Sequence, residues 1–164
     1  MADAFTIKGT SIKNSLRSKV FIHYNGESIE ETALWDTGAT LSCISESVIE
    51  KLKLVETGFI PMHTPSGHDL AKTYSIDVTL PNNVHVPDLK VCSSKIGDQG
   101  IGMLIGMDII NRGDFVVNNH AGITVFSFRM PSGPMMDFVS TIRTQNIIQK
   151  KRAPKSKFNG KKKR

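Results

Sequence analysis

A carboxylate followed by a hydroxyl and a glycine, Asp36-Thr37-Gly38-Ala39, lies inside the segment ALWDTGATLS at residues 33–42. Asp is disfavoured in strand interiors, whereas glycine lets the backbone turn sharply or pass close to another group. The residues before this tetrapeptide are apolar and typical of a strand, and those after it are typical of a turn into a helix. We therefore expect the carboxylate to stand at the end of a strand, with its side chain presented to a site.

A second segment, IGMLIGMDII at residues 101–110, contains two apolar residues before a glycine, Leu104-Ile105-Gly106, and this glycine follows Asp36 by 70 residues. Together the two segments resemble the active-site loop and the hydrophobic-hydrophobic-Gly strand of the retropepsin-like aspartic proteases. The resemblance implies that the strand passes beneath the loop, where the glycine permits a close approach, and that a short helix follows it.

The resemblance also implies a catalytic role for Asp36. Hydrolysis in that family needs two close carboxylates that share one proton and hold one water, because one group must accept a proton while the other donates one. This chain has a single Asp-Thr-Gly and is too short for two lobes. A homodimer is therefore expected, with each Asp36 meeting its copy across a twofold axis. Thr37 would hydrogen-bond across the axis, and Gly38 and Ala39 would support the dyad, without a metal or organic cofactor.

A turn cluster, Thr64-Pro65-Ser66-Gly67-His68, lies between two strand-like arms. By resemblance this hairpin is the flap, which closes over an extended peptide whose backbone pairs with it as an added strand. A protein or peptide substrate is therefore expected.

Three features depart from the viral members of the family. Trp35 is bulkier than the usual aliphatic residue before the catalytic Asp, Thr40 replaces a frequent acid, and Met107-Asp108 replaces a basic residue. The last two departures resemble the cellular and bacterial members. Asp108 and Asp114 are expected at a helix start or a turn rather than as further catalytic acids.

Short strands separated by turns predict an all-β fold, a retropepsin-like closed or strongly bent β-barrel with one or two short helices. Asn25-Gly26 predicts a tight hairpin, and a helix is expected over residues 45–52. Strands are expected at residues 5–12, 16–24 and 28–35, in two arms over 59–80, around 84–86 and 89–91, and at 115–117 and 123–128.

The protease domain is predicted at residues 5–130, followed by a C-terminal extension at 131–164. A partial apolar stripe predicts a helix over residues 135–150, and the composition from Lys150 onward predicts disorder. The net charge of +6 comes from this end, since residues 150–164 hold nine of the 21 Lys and Arg and no acid. The basic tail is expected either to be solvated or to make a loose contact with nucleic-acid phosphates.

Several classes of protein and site are not expected. No apolar run reaches the roughly 20 residues of a membrane span, and no secretory signal is visible, which favours a cytoplasmic protein without membrane contact. Cys43 and Cys92 are interpreted as buried small hydrophobic residues without chemistry, because a reducing compartment disfavours a disulfide. His63, His68 and His85 match no common zinc spacing, so no metal site is expected.

The sequence therefore predicts a homodimeric aspartic endopeptidase. Two alternatives stay open. One is a catalytically inactive dimer of the same fold that binds extended peptides, and the other is a nucleic-acid-associated protein that acts through its basic tail.

Overall fold

The computed structural model describes residues 2–64 and 67–152, with the backbone alone for residues 62–64 and 67–69. Pro65 and Ser66 of the predicted flap, and residues 153–164 of the predicted tail, lie outside the described residues. The chain divides into two compact units, one ending at Gly133 and the other beginning at Pro134. The domain limits given above, 5–130 and 131–164, stay a prediction.

The described residues form ten strands and three α-helices. The strands are β1 (Asp3–Lys8), β2 (Leu16–Tyr24), β3 (Glu27–Trp35), β4 (Cys43–Ile44), β5 (Gly58–Thr64), β6 (Gly67–Leu80), β7 (Val84–Ser93), β8 (Met103–Ile105), β9 (Asp114–Asn118) and β10 (Val125–Met130). The helices are α1 (Glu46–Leu52), α2 (Met107–Ile110) and α3 (Phe138–Arg152).

Six strands of the first unit close into a barrel. Their hydrogen-bonded order is β2-β3-β8-β4-β7-β6, and β6 returns to β2 through pairs such as Phe21 with Thr79. The β3–β8 and β4–β7 pairs are parallel, whereas β8 and β4 are antiparallel. The predicted all-β, closed-barrel fold with short helices is confirmed.

Local sequence signals explain several elements of the barrel. Asn25 and Gly26 both have positive φ, 47° and 83°, as the tight turn between β2 and β3 requires. Ser45 caps α1 by accepting a hydrogen bond from the N–H of Val48. Val48 and Leu52 lie one helical turn apart and are both buried, so α1 packs one face on the core.

A separate three-stranded antiparallel sheet, in the order β1-β10-β9, packs on the barrel through aromatic rings. Trp35 at the end of β3 lies against Phe5 of β1, Phe115 of β9, and Phe126 and Phe128 of β10. Its ring stacks on that of Phe115 with centroids 5.1 Å apart and planes 4° apart. Because aromatic side chains bury large apolar areas, this cluster fixes the sheet to the barrel.

The structure corrects the prediction of two strands in the region of β7, which is one continuous strand. Pro87 and Asp88 form a bulge in it, because these two residues between Val86 and Leu89 oppose the single Asp77 of β6. The N–H of Asp88 donates to the carboxylate of Asp77 at 2.8 Å, which stabilises the bulge. A Pro-Asp pair therefore bends this strand without ending it.

Two other boundaries differ from the prediction. β1 ends at Lys8 and β10 begins only at Val125, although the backbone continues to pair irregularly. The N–H of Gly9 donates to the carbonyl of Thr124, and the N–H of Thr124 donates to the carbonyl of Ser11. These bonds satisfy the backbone outside the regular ladder.

The second unit contains α3. Asp137 caps it, since its carboxylate accepts from the N–H groups of Val139 and Ser140. The predicted disorder from Lys150 is wrong for residues 150–152, which form the last turn of the helix. Lys and Arg are good helix formers, and positive side chains near a helix C-terminus are stabilised by its dipole. None of the helices in the described ranges has the length and apolar character needed to cross a bilayer.

Candidate active site

Asp36 follows directly on the last residue of β3. Its N–H donates to the carbonyl of Ile105 at 2.9 Å, which extends the parallel pairing of β3 with β8 by one residue. The N–H of Gly38 donates to Oδ1 of Asp36 at 2.8 Å, so the turn holds the carboxylate by a backbone hydrogen bond. The side chain is half-buried, and Thr37 and Gly38 are exposed. The loop therefore presents a fixed carboxylate at the surface of this chain.

The loop formed by residues 36–42 arches over the end of β8. It leaves β3 on one side of β8 and returns as β4 on the other side, because β8 lies between those two strands. The carbonyl of Ala39 accepts from the N–H of Met107 at 2.8 Å. The two sequence segments singled out above are thus in direct contact.

Gly106 lies at the closest point of this contact. A Cβ atom there would lie 2.7 Å from the carbonyl carbon of Leu41 and 2.9 Å from the carbonyl oxygen of Ala39. Its φ of −96° is open to any residue, so the requirement for glycine is steric. Leu104 and Ile105 pair with Leu34 and Trp35 of β3, and this pairing places the glycine beneath the loop.

Ser42 and Asp108 form a link that the sequence analysis did not identify. The N–H and the hydroxyl of Ser42 donate to the two carboxylate oxygens of Asp108 at 2.9 and 2.7 Å, and the N–H of Gly106 donates to the same hydroxyl at 3.0 Å. Asp108 also accepts from the N–H of Ile109 in the first turn of α2, so its predicted place at a helix start is correct. The two partners are 66 residues apart, and no local pattern pairs them.

Trp35 anchors the other end of the loop. Its ring is only 6% exposed within the aromatic cluster, and its Nε1–H donates to the hydroxyl of Ser18 at 3.0 Å. Since Asp36 is the next residue, the position of the carboxylate depends on both the barrel and the three-stranded sheet.

The predicted flap is a hairpin of β5 and the first half of β6. Its backbone pairs from Gly58 with Thr73 to Thr64 with Gly67, the last described pair before the tip. Phe59 in its first strand is 57% exposed. Pro65 and Ser66 lie outside the described residues, and only the backbone of Thr64, Gly67 and His68 is described.

The site offers a carboxylate that can accept or donate a proton, but one carboxyl group cannot do both in a single step. The Asp108 carboxylate accepts hydrogen bonds from Ser42 and supports the loop rather than acting as a second acid–base group. Among the side chains that the structure describes, those of residues 2–61 and 70–152, no three His, Cys, Asp or Glu are grouped as a metal site would require.

Comparisons with known proteins give the family and the fold of the chain. The family described as gag-polyprotein putative aspartyl protease matches residues 20–112, more than half of the chain. A retropepsin-like aspartic protease from Rickettsia conorii is 17% identical with a TM-score of 0.52, covering 79% of this chain and 96% of that one.

The EIAV protease complexed with the inhibitor HBY-793 is 17% identical with a TM-score of 0.48, covering 60% of this chain and 88% of that one. No curated protein matches the sequence. The chain belongs to the gag-polyprotein aspartyl protease family and has the retropepsin-like fold.

Proposed function

We propose that the protein is an aspartic endopeptidase whose active site forms between two copies of the chain, each contributing Asp36. One carboxylate is ionised and removes a proton from a bound water, while the other is protonated and donates to the scissile carbonyl oxygen. The water oxygen bonds to the carbonyl carbon, and the resulting tetrahedral intermediate breaks down to an amine and a carboxylic acid. Water is the nucleophile, so this chemistry needs no metal or organic cofactor.

The observation that carries the proposal is the fixed position of Asp36. The Gly38 N–H holds its carboxylate, the Ile105 carbonyl holds its backbone, and Gly106 lies close beneath the loop. Such preorganisation favours catalysis because the reacting groups need little rearrangement. A turn that only connected two strands would not need this support.

The proposed homodimer follows from the need for a second carboxylate. The sequence has one Asp-Thr-Gly, and the carboxylate of Asp108 is already bound by Ser42. Thr37 is exposed, and within the described part of the chain its hydroxyl has no hydrogen-bond partner. The hydroxyl is therefore open to a second subunit, and an isologous interface would bring each loop against its copy.

The proposed substrate is an extended peptide or protein segment. The β5–β6 hairpin offers backbone edges with which such a segment can pair, and Phe59 adds exposed apolar surface. Thr64, Pro65, Ser66, Gly67 and His68 are proposed to close over it. Contact of the basic tail with nucleic acid, and a cytoplasmic location, stay predictions from the sequence.

The proposal is tested by comparing the wild type with Asp36→Asn on a mixed peptide library at pH values from about 4 to 7, where a shared-proton dyad is expected to work. The substitution keeps the shape of the side chain but removes its acid–base function. We expect cleavage to fall by at least about 10²-fold. Sedimentation should give the same dimer for both proteins.

Asp98→Asn is the matched control, because Asp98 is an exposed acid in the turn before β8. It should cleave as the wild type does. If the wild type and both variants are dimeric and none cleaves any peptide, the inactive peptide-binding dimer is the better description.

A further inference from the structure

The two cysteines of the chain lie side by side in neighbouring strands. Cys43 of β4 pairs with Cys92 of β7 in the parallel ladder, and their Sγ atoms are 3.0 Å apart. Both are free thiols. Neighbouring strands lie about 4.8 Å apart, within the roughly 4.4–6.8 Å that a disulfide spans between Cα atoms. The backbone is therefore already placed for a bond between these sulfurs.

The two thiols differ in their exposure. Cys92 is 2% exposed, as the sequence analysis expected, but Cys43 is only part-buried. Cys43 thus offers solvent a route to the pair. The prediction of a buried core residue is therefore correct for Cys92 only. The contact between the two cysteines could not be predicted, because they are 49 residues apart in the sequence.

We propose that Cys43 and Cys92 are a redox modification site, at which hydrogen peroxide converts the two thiols into a reversible intramolecular disulfide between β4 and β7. The first sulfur attacks one peroxide oxygen, so that an S–O bond forms, the O–O bond breaks, and the departing oxygen leaves as water after taking a proton. The second sulfur then attacks the first. The S–S bond forms, the S–O bond breaks, and a second water leaves with the remaining thiol proton.

The hydrogen bond between the thiols shifts their pKa values in opposite directions. This hydrogen bond lowers the pKa of Cys92 and raises that of Cys43. Burial and the nearby Asp108 and Asp36 carboxylates raise the pKa of Cys43 further. Whichever sulfur reacts first, the other lies 3.0 Å away and can close the disulfide.

The disulfide would form directly beside the candidate active site. Cys43 follows Ser42 in the chain, and the N–H of Cys92 donates to the Ser42 carbonyl at 3.1 Å. Ser42 in turn holds Asp108. The cross-link would therefore join β7 to β4, the strand that follows the loop, whether or not the protein is a peptidase.

The first test is chemical and uses the full-length folded protein. Reduced wild type is treated with hydrogen peroxide, free thiols are alkylated before unfolding, and the protein is digested with trypsin without reduction. We expect residues 20–51, which contain Cys43, to be linked to residues 91–95, which contain Cys92. The mass should fall by about 2 Da, and dithiothreitol should restore both thiols.

Cys43→Ser and Cys92→Ser are the controls, and neither can form the linked peptide within one chain. Two thiols that stay open to alkylation, separate oxidation of each sulfur to sulfinic acid, or a disulfide between two chains would each overturn the proposal.

A second measurement does not rely on a variant that must fold. Because the bond closes a loop of 49 residues and restricts the unfolded chain, the Tm of oxidised wild type should rise by about 5–10 °C and return on reduction. A linked protein whose Tm does not rise would contradict the proposed cross-link between native strands.

Discussion

The N–H and the hydroxyl of Ser42 donate to separate oxygens of the Asp108 carboxylate, at 2.9 and 2.7 Å. Ser42 ends the loop that begins with Asp36, and Asp108 lies in the helix that follows β8. The same hydroxyl accepts from the N–H of Gly106. Three hydrogen bonds therefore join the two segments that resemble the protease family, at the end of the loop opposite the catalytic candidate.

Asp108→Asn should weaken this support without touching the proposed dyad. An amide nitrogen cannot accept a hydrogen bond, so one of the two Ser42 donors loses its partner, and we expect about 1–3 kcal/mol of destabilisation. If the loop positions Asp36, kcat should fall by about tenfold or more, whereas KM should change little. Urea unfolding and steady-state kinetics measure both effects. With Asp98→Asn as control, a normal kcat in a destabilised Asp108 variant would limit this carboxylate to a structural role.

Gly106→Ala should be costly for steric reasons. The new Cβ would lie 2.7 Å from the Leu41 carbonyl carbon, which is backbone and cannot turn away as a side chain can. We expect about 2–3 kcal/mol of destabilisation, together with loss of cleavage as the loop is displaced. Denaturant unfolding measures the first effect.

Gly97→Ala is the matched control, since its nearest neighbour, the Ser45 Cβ, is 3.8 Å away. It should stay within about 0.5 kcal/mol of the wild type. Equal stability of the two alanine variants would contradict the close passage of β8 beneath the loop.

The shared dyad makes a prediction for mixed subunits. When an equal amount of Asp36→Asn protein is added to a fixed amount of wild type and the subunits exchange, about half of the wild-type subunits enter mixed dimers. Those dimers have one carboxylate, so total activity should fall to about half. Activity that stays constant after verified exchange would mean that each chain works alone. Asp98→Asn protein added in the same way should not reduce activity.

Stability at low pH should depend on Asp114. The Gly133 N–H and the Arg129 guanidinium both donate to this carboxylate and lower its pKa. A carboxyl group whose pKa is lower in the folded than in the unfolded state stabilises the fold at pH values above its unfolded-state pKa, about 3.9. This stabilisation is lost as the pH falls through the folded-state pKa. Asp114→Asn should therefore be less stable than the wild type at pH 7 and should lose less stability below about pH 4. The measurement is urea unfolding of the wild type, Asp114→Asn and Asp98→Asn across this pH range. If the free energy of unfolding had the same pH dependence in both variants, this prediction would be wrong.

Local signals predicted the fold well where a few adjacent residues decide the structure. Asn25-Gly26 adopts its hairpin turn and Ser45 caps α1, since both depend on near neighbours. The same reasoning misjudged Pro87-Asp88, because the pairing of β7 with β6 continues across the bulge. Pairing with the neighbouring strand thus made one strand of the two segments predicted at residues 84–86 and 89–91.

The candidate site was only partly visible for the same reason. Asp36 and Gly106 could be identified because each lies in a recognisable segment. The bonds of Ser42 to Asp108, and the contact of Cys43 with Cys92, join residues 66 and 49 positions apart and involve β4, a strand of two residues. Their pairing depends on the closure of the barrel, which no single segment encodes.

The pairing of β1 with β10 sets Asp3 opposite Met130 in an antiparallel ladder. The strand that opens the first unit and the strand that closes it thus have their outer ends side by side, about 5 Å apart. A polypeptide that contains this unit enters and leaves it at one point. The unit can therefore be inserted into a surface loop of a larger protein, because it would hold the two ends of that loop no farther apart than neighbouring strands.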